Sequence, residues 1–278
     1  MAVLLGVAAA VFSGAGDYFG GIAGRRGRIV AVGIWAHVVG LITVLALTPL
    51  VSGAPTARDL AWGSAAGVSG GLGILALYRG FAAGDMAIVS PVAAVGAAGW
   101  PVLFALATGD RPGGLPSLGL VVGLGAIWTV GRSPQVAEEP RSRRAGVRYG
   151  LVAGLGFGGL LLMLSFTAAE AGIWPLLPAR ASGAVVLLLL AAGAHHRVAP
   201  LATTLPPSTA AGVLTVLGNG AFILGTQEGS LAVVSVLAAM FPAATVLLAR
   251  LFLAEELGRR RRAGMALALL AVGLVAAG

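Results

Sequence analysis

The side chains equipped for chemistry are few here, and most of them stand inside long apolar runs. Asp17 beside Tyr18, Tyr78 beside Arg79, Ser90, Trp100, Asn219 and His37 are all flanked by Ala, Gly, Leu and Val. A carboxylate in that setting can hold a cationic group or take up a proton, and a guanidinium can hold a carboxylate. A hydroxyl or amide can orient a ligand, and an indole can wall a cavity. Asp17, Tyr18, Tyr78, Arg79, Ser90, Trp100 and Asn219 are therefore candidate substrate-binding residues, and Asp17 and His37 are candidates for proton coupling. Each has a structural alternative. Asp17 could sit shallow at an interface or pair with an Arg, Arg79 could snorkel to the headgroups, and Trp100 could pack in a core. His37, Ser90 and Asn219 could join helices by hydrogen bonds. Arg180, preceded by Trp174, Pro175 and Pro178, reads as a snorkelling residue at an interfacial helix start.

Other chemistries find no footing. With no cysteine, thiolate catalysis, thiolate metal sites and disulfides drop out. The ten acids are scattered, without a DxxxD or HxxxH pattern. His195 and His196 adjoin Arg197 and have no carboxylate neighbours, so no metal is expected. Gly154 to Gly159 follows no strand and lacks the lysine of a nucleotide loop. No catalytic residue and no cofactor are expected. A membrane-embedded enzyme acting on lipid-like substrates is the alternative class, and a non-transporting scaffold or receptor a third.

The elements that hold these residues follow from composition. Of 278 residues 58% are hydrophobic and only 10% charged, too few polar groups to clothe a water-soluble domain of this length. The net charge of +8 does not indicate nucleic acid as a partner. The arginines cluster at Arg25, Arg26 and Arg28, at Arg132 to Arg148 and at Arg259 to Arg262, between apolar runs and without interleaved aromatics. Such clusters read as topology determinants and lipid-headgroup contacts. A membrane helix needs about 20 mostly apolar residues. Ten runs qualify as candidates: 2–24, 29–51, 60–82, 85–108, 115–131, 149–170, 174–194, 206–227, 230–253 and 261–278. Continuous apolar stretches such as Val185 to Ala192 do not alternate, which excludes barrel strands. The expected fold is all-α, a multi-pass protein of the inner (plasma) membrane.

The long polar segment 132–148 divides the chain into a first five-helix unit, 1–131, and a second, 149–278. Displaced by 145 positions, Phe12 falls on Phe157, Pro55 on Pro200, Gly80 on Gly225, Ser90 on Ser235, Asp110 on Glu255 and Gly119 on Gly264. An odd number of spans per unit inverts the second relative to the first, the inverted-repeat arrangement that puts a transporter's site near the midplane. The basic loops after spans one, five, seven and nine then share one side, cytoplasmic by the positive-inside rule, with both termini opposite. Glycines at four-residue intervals (Gly16, Gly20, Gly24; Gly63, Gly67, Gly71; Gly150, Gly154, Gly158) predict close helix packing. Pro91 and Pro101 in span four, and Pro242 in span nine, free backbone carbonyls.

The sequence resembles the EamA-type branch of the drug/metabolite transporter superfamily. The resemblance rests on Gly16-Asp17-Tyr18-Phe19-Gly20-Gly21, Ala76-Leu77-Tyr78-Arg79-Gly80, Val89-Ser90-Pro91-Val92 and Ala254-Glu255-Glu256-Leu257. A final span with Gly264 and Gly273 adds to it. Asp110 stands where the family usually has Glu. The resemblance implies ten helices around a central cavity lined by spans one, three, four, six, eight and nine. It also implies movement of small metabolites, amino acids or drugs by a permease, often as efflux; the expected assembly is a monomer or homodimer. Members of the family are often drawn with cytoplasmic termini, opposite to the orientation that the arginines give.

Overall fold

The computed structural model describes residues 1–51, 53–83, 86–131, 140–193, 199, 201–253 and 259–276. Every element among them is helical: α1 (Ala2–Arg26), α2 (Ile29–Leu47), α3 (Ala57–Ala83), α4 (Met86–Ala107), α5 (Gly114–Gly131), α6 (Pro140–Ser165), α7 (Leu176–Gly193), α8 (Leu205–Glu228), α9 (Leu231–Ala238), α10 (Phe241–Leu253) and α11 (Arg259–Ala276). Short 3-10 turns at Ala169–Ala171 and Ala202–Thr204 precede α7 and α8. Among the described residues, six helices are long and apolar enough to cross a bilayer, those containing Ala2–Gly24, Ile29–Leu47, Ala57–Leu77, Arg144–Ser165, Leu176–Gly193 and Ala202–Glu228. Shorter apolar helices occupy Val92–Ala107, Gly114–Ala126 and Leu231–Thr245. Helices are the form expected in lipid, because they satisfy their own backbone groups.

Two boundaries differ from the sequence reading. The segment 132–148 is not loop throughout, because α6 already runs from Pro140. Proline suits a first helical turn, where its missing N–H has no partner to lose, and the Arg and Ala residues after it favour helix. The single span expected over 230–253 is two helices. Pro242 has no N–H to give to the carbonyl four residues back. The chain turns at Ala239 and Met240, where Met240 N donates to Leu237 O at 3.1 Å and Ala243 N to Met240 O at 2.9 Å. The Ala254-Glu255-Glu256-Leu257 segment and His195 and His196 lie outside the described residues.

The predicted glycine packing is present at Gly16, Gly63, Gly67, Gly150, Gly154 and Gly158, whereas Gly20, Gly24 and Gly71 have only ordinary contacts. A methyl group at Gly154 of α6 would stand 2.9 Å from Gly96 Cα and 3.0 Å from Ala93 O of α4, closer than any side chain tolerates. A methyl at Gly16 would stand 2.6 Å from Thr215 Cγ2 of α8. Helix pairs that cross between the two halves of the chain dominate the packing. α1 lies on α8 and α3 on α6; α4 lies on α6, as α9 and α10 lie on α1; α3 packs on α7, as α2 does on α8. The buried core has one cluster around Ala98, Leu237 and Met240, joining α4, α9 and the turn after it. A second surrounds Val44, Leu164, Leu176 and Phe222, joining α2, α6, α7 and α8.

Successive long helices run to and fro, so the connections sort into two ends. One end carries Asp59, Asp110, Glu170 and Glu228 and is called the carboxylate end. The other carries Arg26, Arg28, Arg79, Arg144, Arg148 and Arg259 and is called the arginine end.

Candidate functional site

Asp17 belongs to a helix held on two sides. One side of α1 rests on α8 through Gly16, and Ser13 fills the space that a side chain at Gly218 would need. The other rests on the α9–α10 span. A methyl at Gly6 would stand 2.9 Å from Leu237 Cβ, and one at Gly14 would stand 2.7 Å from Ala244 Cβ. Thr245 Oγ1 fastens this contact by donating to Gly14 O at 2.9 Å.

At 3.6 residues per turn, Asp17 points between these two contacts. It is exposed, and Gly21, one turn on, is exposed with no neighbouring atom within 4 Å of a Cβ placed there. Toward the carboxylate end the same stripe is filled, since Ala10 packs into the core with Leu237 and Met240. The apolar exposed residues of α1, Leu4 and Val11, stand about 120 to 140° round the helix from Asp17. Asp17 thus lies off the lipid stripe, on the face of α1 between its α8 and α10 contacts. An ionised carboxylate facing hydrocarbon would be costly. One facing a water-filled opening is not.

The other candidates are distributed around this point. Tyr18 is buried, with its ring 5.3 Å from Phe19 edge-on and 6.2 Å from Phe252 of α10. It braces α1 on α10 beside Asp17. Arg79 is exposed near the arginine end of α3, and the side chains of Tyr78 and Ser90 lie outside the described residues. Trp100 is 48% exposed and lies against Gly158 of α6. Asn219 is half-buried on α8, on a stripe between those that meet α1 and α2. His37 is buried in α2, where Nδ1 lies 2.9 Å from Gly33 O and the ring fills the space beside Gly183 of α7. Among the described residues, no hydrogen bond or ion pair links Asp17 to Arg79, Trp100, Asn219 or His37. Arg180 is a correction. It does not snorkel but is buried, 7% exposed, with Nη2 lacking a partner.

Two carboxylates that the sequence did not single out as site residues tie the halves together at one end. Asp59 accepts from Thr56 N at 2.8 Å and Thr56 Oγ1 at 2.6 Å within its own helix start. Its other oxygen accepts from Ala168 N, beyond α6, at 2.8 Å. Asp110, between α4 and α5, accepts from Ser230 Oγ at 2.6 Å and Ala232 N at 3.3 Å, at the start of α9. Ala54 N donates to Glu170 O at 2.7 Å in the same layer. The spacing Thr56-x-x-Asp59 is a helix-start capping pattern that marks the local half of the first clasp. Nothing local marks its reach to Ala168.

Residues 144–277 match the family model of the EamA-like transporter family. None of the curated proteins matches the chain in sequence. Among solved structures, one described only as the crystal structure of a protein superposes with a TM-score of 0.79. It covers 99% of this chain and 98% of its own at 14% identity, a likeness of fold. This membrane protein therefore carries, over residues 144–277, an EamA-like transporter domain of the drug/metabolite transporter superfamily.

Proposed function

We propose that the protein is a plasma-membrane permease for small organic solutes, working by alternating access between two inverted five-span halves. The observation that carries this reading is the exposed face of α1 at Asp17 and Gly21, open between α8 and α10 and facing away from the lipid stripe. The cross-half packing supports the inverted ten-span arrangement, since its helix pairs come in mates that exchange under a shift from one half to the other. The Asp59 and Asp110 clasps support alternating access. They tie the halves at the carboxylate end while the opening at Asp17 faces the arginine end.

In this reading Asp17 holds a cationic group of the solute or exchanges a proton with it, and Tyr18 fixes the helix that presents it. Arg79 and Tyr78 stand at the mouth, and Ser90, Trp100 and Asn219 serve solute orientation farther along the path. Proton coupling is assigned to Asp17, and His37 to the α2–α7 contact. The basic loops at the arginine end put the opening on the cytoplasmic side, an arrangement suited to loading solute for efflux.

The test is counterflow and proton-gradient-driven flux in proteoliposomes, over a panel of cationic and neutral metabolites. Asp17→Asn should abolish gradient dependence and lower flux of cationic solutes at least tenfold while leaving the fold intact. Full gradient-driven flux in that variant would overturn the role of Asp17. Absence of flux for every solute with the wild type would overturn the permease reading.

A further inference from the structure

The α2–α7 contact holds a cation that the transport reading does not use. Arg180 stands in the second turn of α7, and its side chain crosses to α2. A methyl at Gly40 would lie 3.0 Å from Arg180 Cδ, 3.2 Å from its Nε and 3.3 Å from Val216 Cγ2 of α8. The arrangement is reciprocal. Gly40 of α2 leaves room for the arginine of α7, and Gly183 of α7 leaves room for the His37 ring of α2, which would lie 2.6 Å from a methyl there. Two glycines are thus given over to seating two polar side chains in one seam.

The seat holds the guanidinium without neutralising it. Arg180 is 7% exposed, Nη2 is buried with no hydrogen-bond partner, and no carboxylate among the described residues pairs with it. Of the described acids, Asp59 and Asp110 are engaged in the clasps, and Asp17, Glu170 and Glu228 are exposed on the surface of their segments. The other acids outside the described residues fall in the α3–α4, α5–α6 and α10–α11 connections. His37 cannot serve as counter-ion, because imidazole is neutral or positive. A guanidinium stays protonated, and a buried charge in a membrane protein needs an opposite charge or a water-filled cavity. Its planar fork matches the paired oxygens of a carboxylate or phosphate.

We propose that Arg180, seated by Gly40 and flanked by His37, is the receptor for an oxyanion group, a carboxylate or phosphate, bound in the seam between α2, α7 and α8. The group could be supplied by a free anionic solute or by an anionic lipid headgroup. The site does not depend on the Asp17 transport reading, and binding is measured without flux.

The experiment follows thermal unfolding of the purified, delipidated protein in neutral detergent while inorganic phosphate or acetate is raised against chloride at constant ionic strength. A parallel arm uses nanodiscs of phosphatidylcholine with and without phosphatidylglycerol. Wild type should gain a saturable rise in Tm with phosphate or acetate when the source is a free anion, or with phosphatidylglycerol when it is a lipid. Arg180→Gln should lose that rise, while Arg58→Gln, an exposed arginine at the same end, should keep it. Arg180→Lys, which keeps the charge and loses the fork, should need on the order of tenfold more anion. It decides the matter if the Gln variant does not fold. An equal rise in the Arg180 variants, or no rise with phosphate, acetate or phosphatidylglycerol, would overturn the site.

Discussion

The two ends of the molecule are closed by different chemistry. At the carboxylate end, Asp59 and Asp110 each accept hydrogen bonds from the opposite half, two of them from backbone N–H groups of Ala168 and Ala232. At the arginine end, the cross-half hydrogen bond among the described residues is the exposed one from Trp35 Nε1 to Thr209 Oγ1 at 3.1 Å. A van der Waals contact of Gly27 with Thr204 accompanies it. Hydrogen bonds to charged acceptors are stronger than neutral ones, and burial adds the cost of leaving a partner unmade. Among the described residues, one end is therefore held by charged acceptors and the other by a neutral, exposed bond. In the alternating-access reading proposed above, the held end must release in the other state.

The largest effect should come from the buried clasp. Asp59 is 2% exposed and satisfies three donors, so Asp59→Ala should cost about 3 kcal/mol. Asp110, half-buried with two donors, should cost about 1 to 2 kcal/mol as Asp110→Ala. Denaturation midpoints in a fixed micelle measure both, and a larger loss at Asp110 would reverse the ranking of the clasps. The double variant should also shift the conformational balance. The chain has no cysteine of its own, so Gly21→Cys offers a single reporter on the open stripe. Its labelling by a membrane-impermeant maleimide from the arginine end should slow about tenfold or more once both clasps are gone. Unchanged labelling would mean that the clasps hold the fold and not the state.

How much of this was legible in sequence depends on the range of the interaction. The helices, the glycine-lined contacts and the isolation of Asp17 follow from periodicities and compositions read over one or two turns. Asp17 was singled out because a carboxylate amid Ala, Gly and Phe must have a reason. The clasps were not, because Asp59 sits in a helix-start pattern with Thr56 that accounts for it locally. Its bond to Ala168 spans more than a hundred residues. Arg180 was misread for a related reason. Trp174, Pro175 and Pro178 describe an interfacial helix start correctly, but the glycine that admits the side chain inward is Gly40, on another helix. The break in the ninth span was half legible. Pro242 announces a disrupted helix, yet Pro91 and Pro101 leave α4 continuous from Met86 to Ala107, so proline alone does not decide between a kink and a break.

The arginine end supplies the smallest effects and the sharpest control. Trp35→Phe removes one exposed neutral hydrogen bond, with an expected cost of about 0.5 to 1 kcal/mol. Arg26 is exposed and has no partner among the described residues, so Arg26→Gln should change stability by less than about 0.5 kcal/mol. In the orientation proposed above its role is in insertion, where positive charge after the first span holds that connection in the cytoplasm. Removing Arg25, Arg26 and Arg28 together should therefore leave the micelle denaturation midpoint nearly unchanged while producing a fraction of molecules inserted the other way round. Protease accessibility of a tag at the N-terminus in intact cells reads that fraction directly. A large loss of stability with uniform topology would show that the arginine end is held by its charges after all, and the contrast between the two ends would disappear.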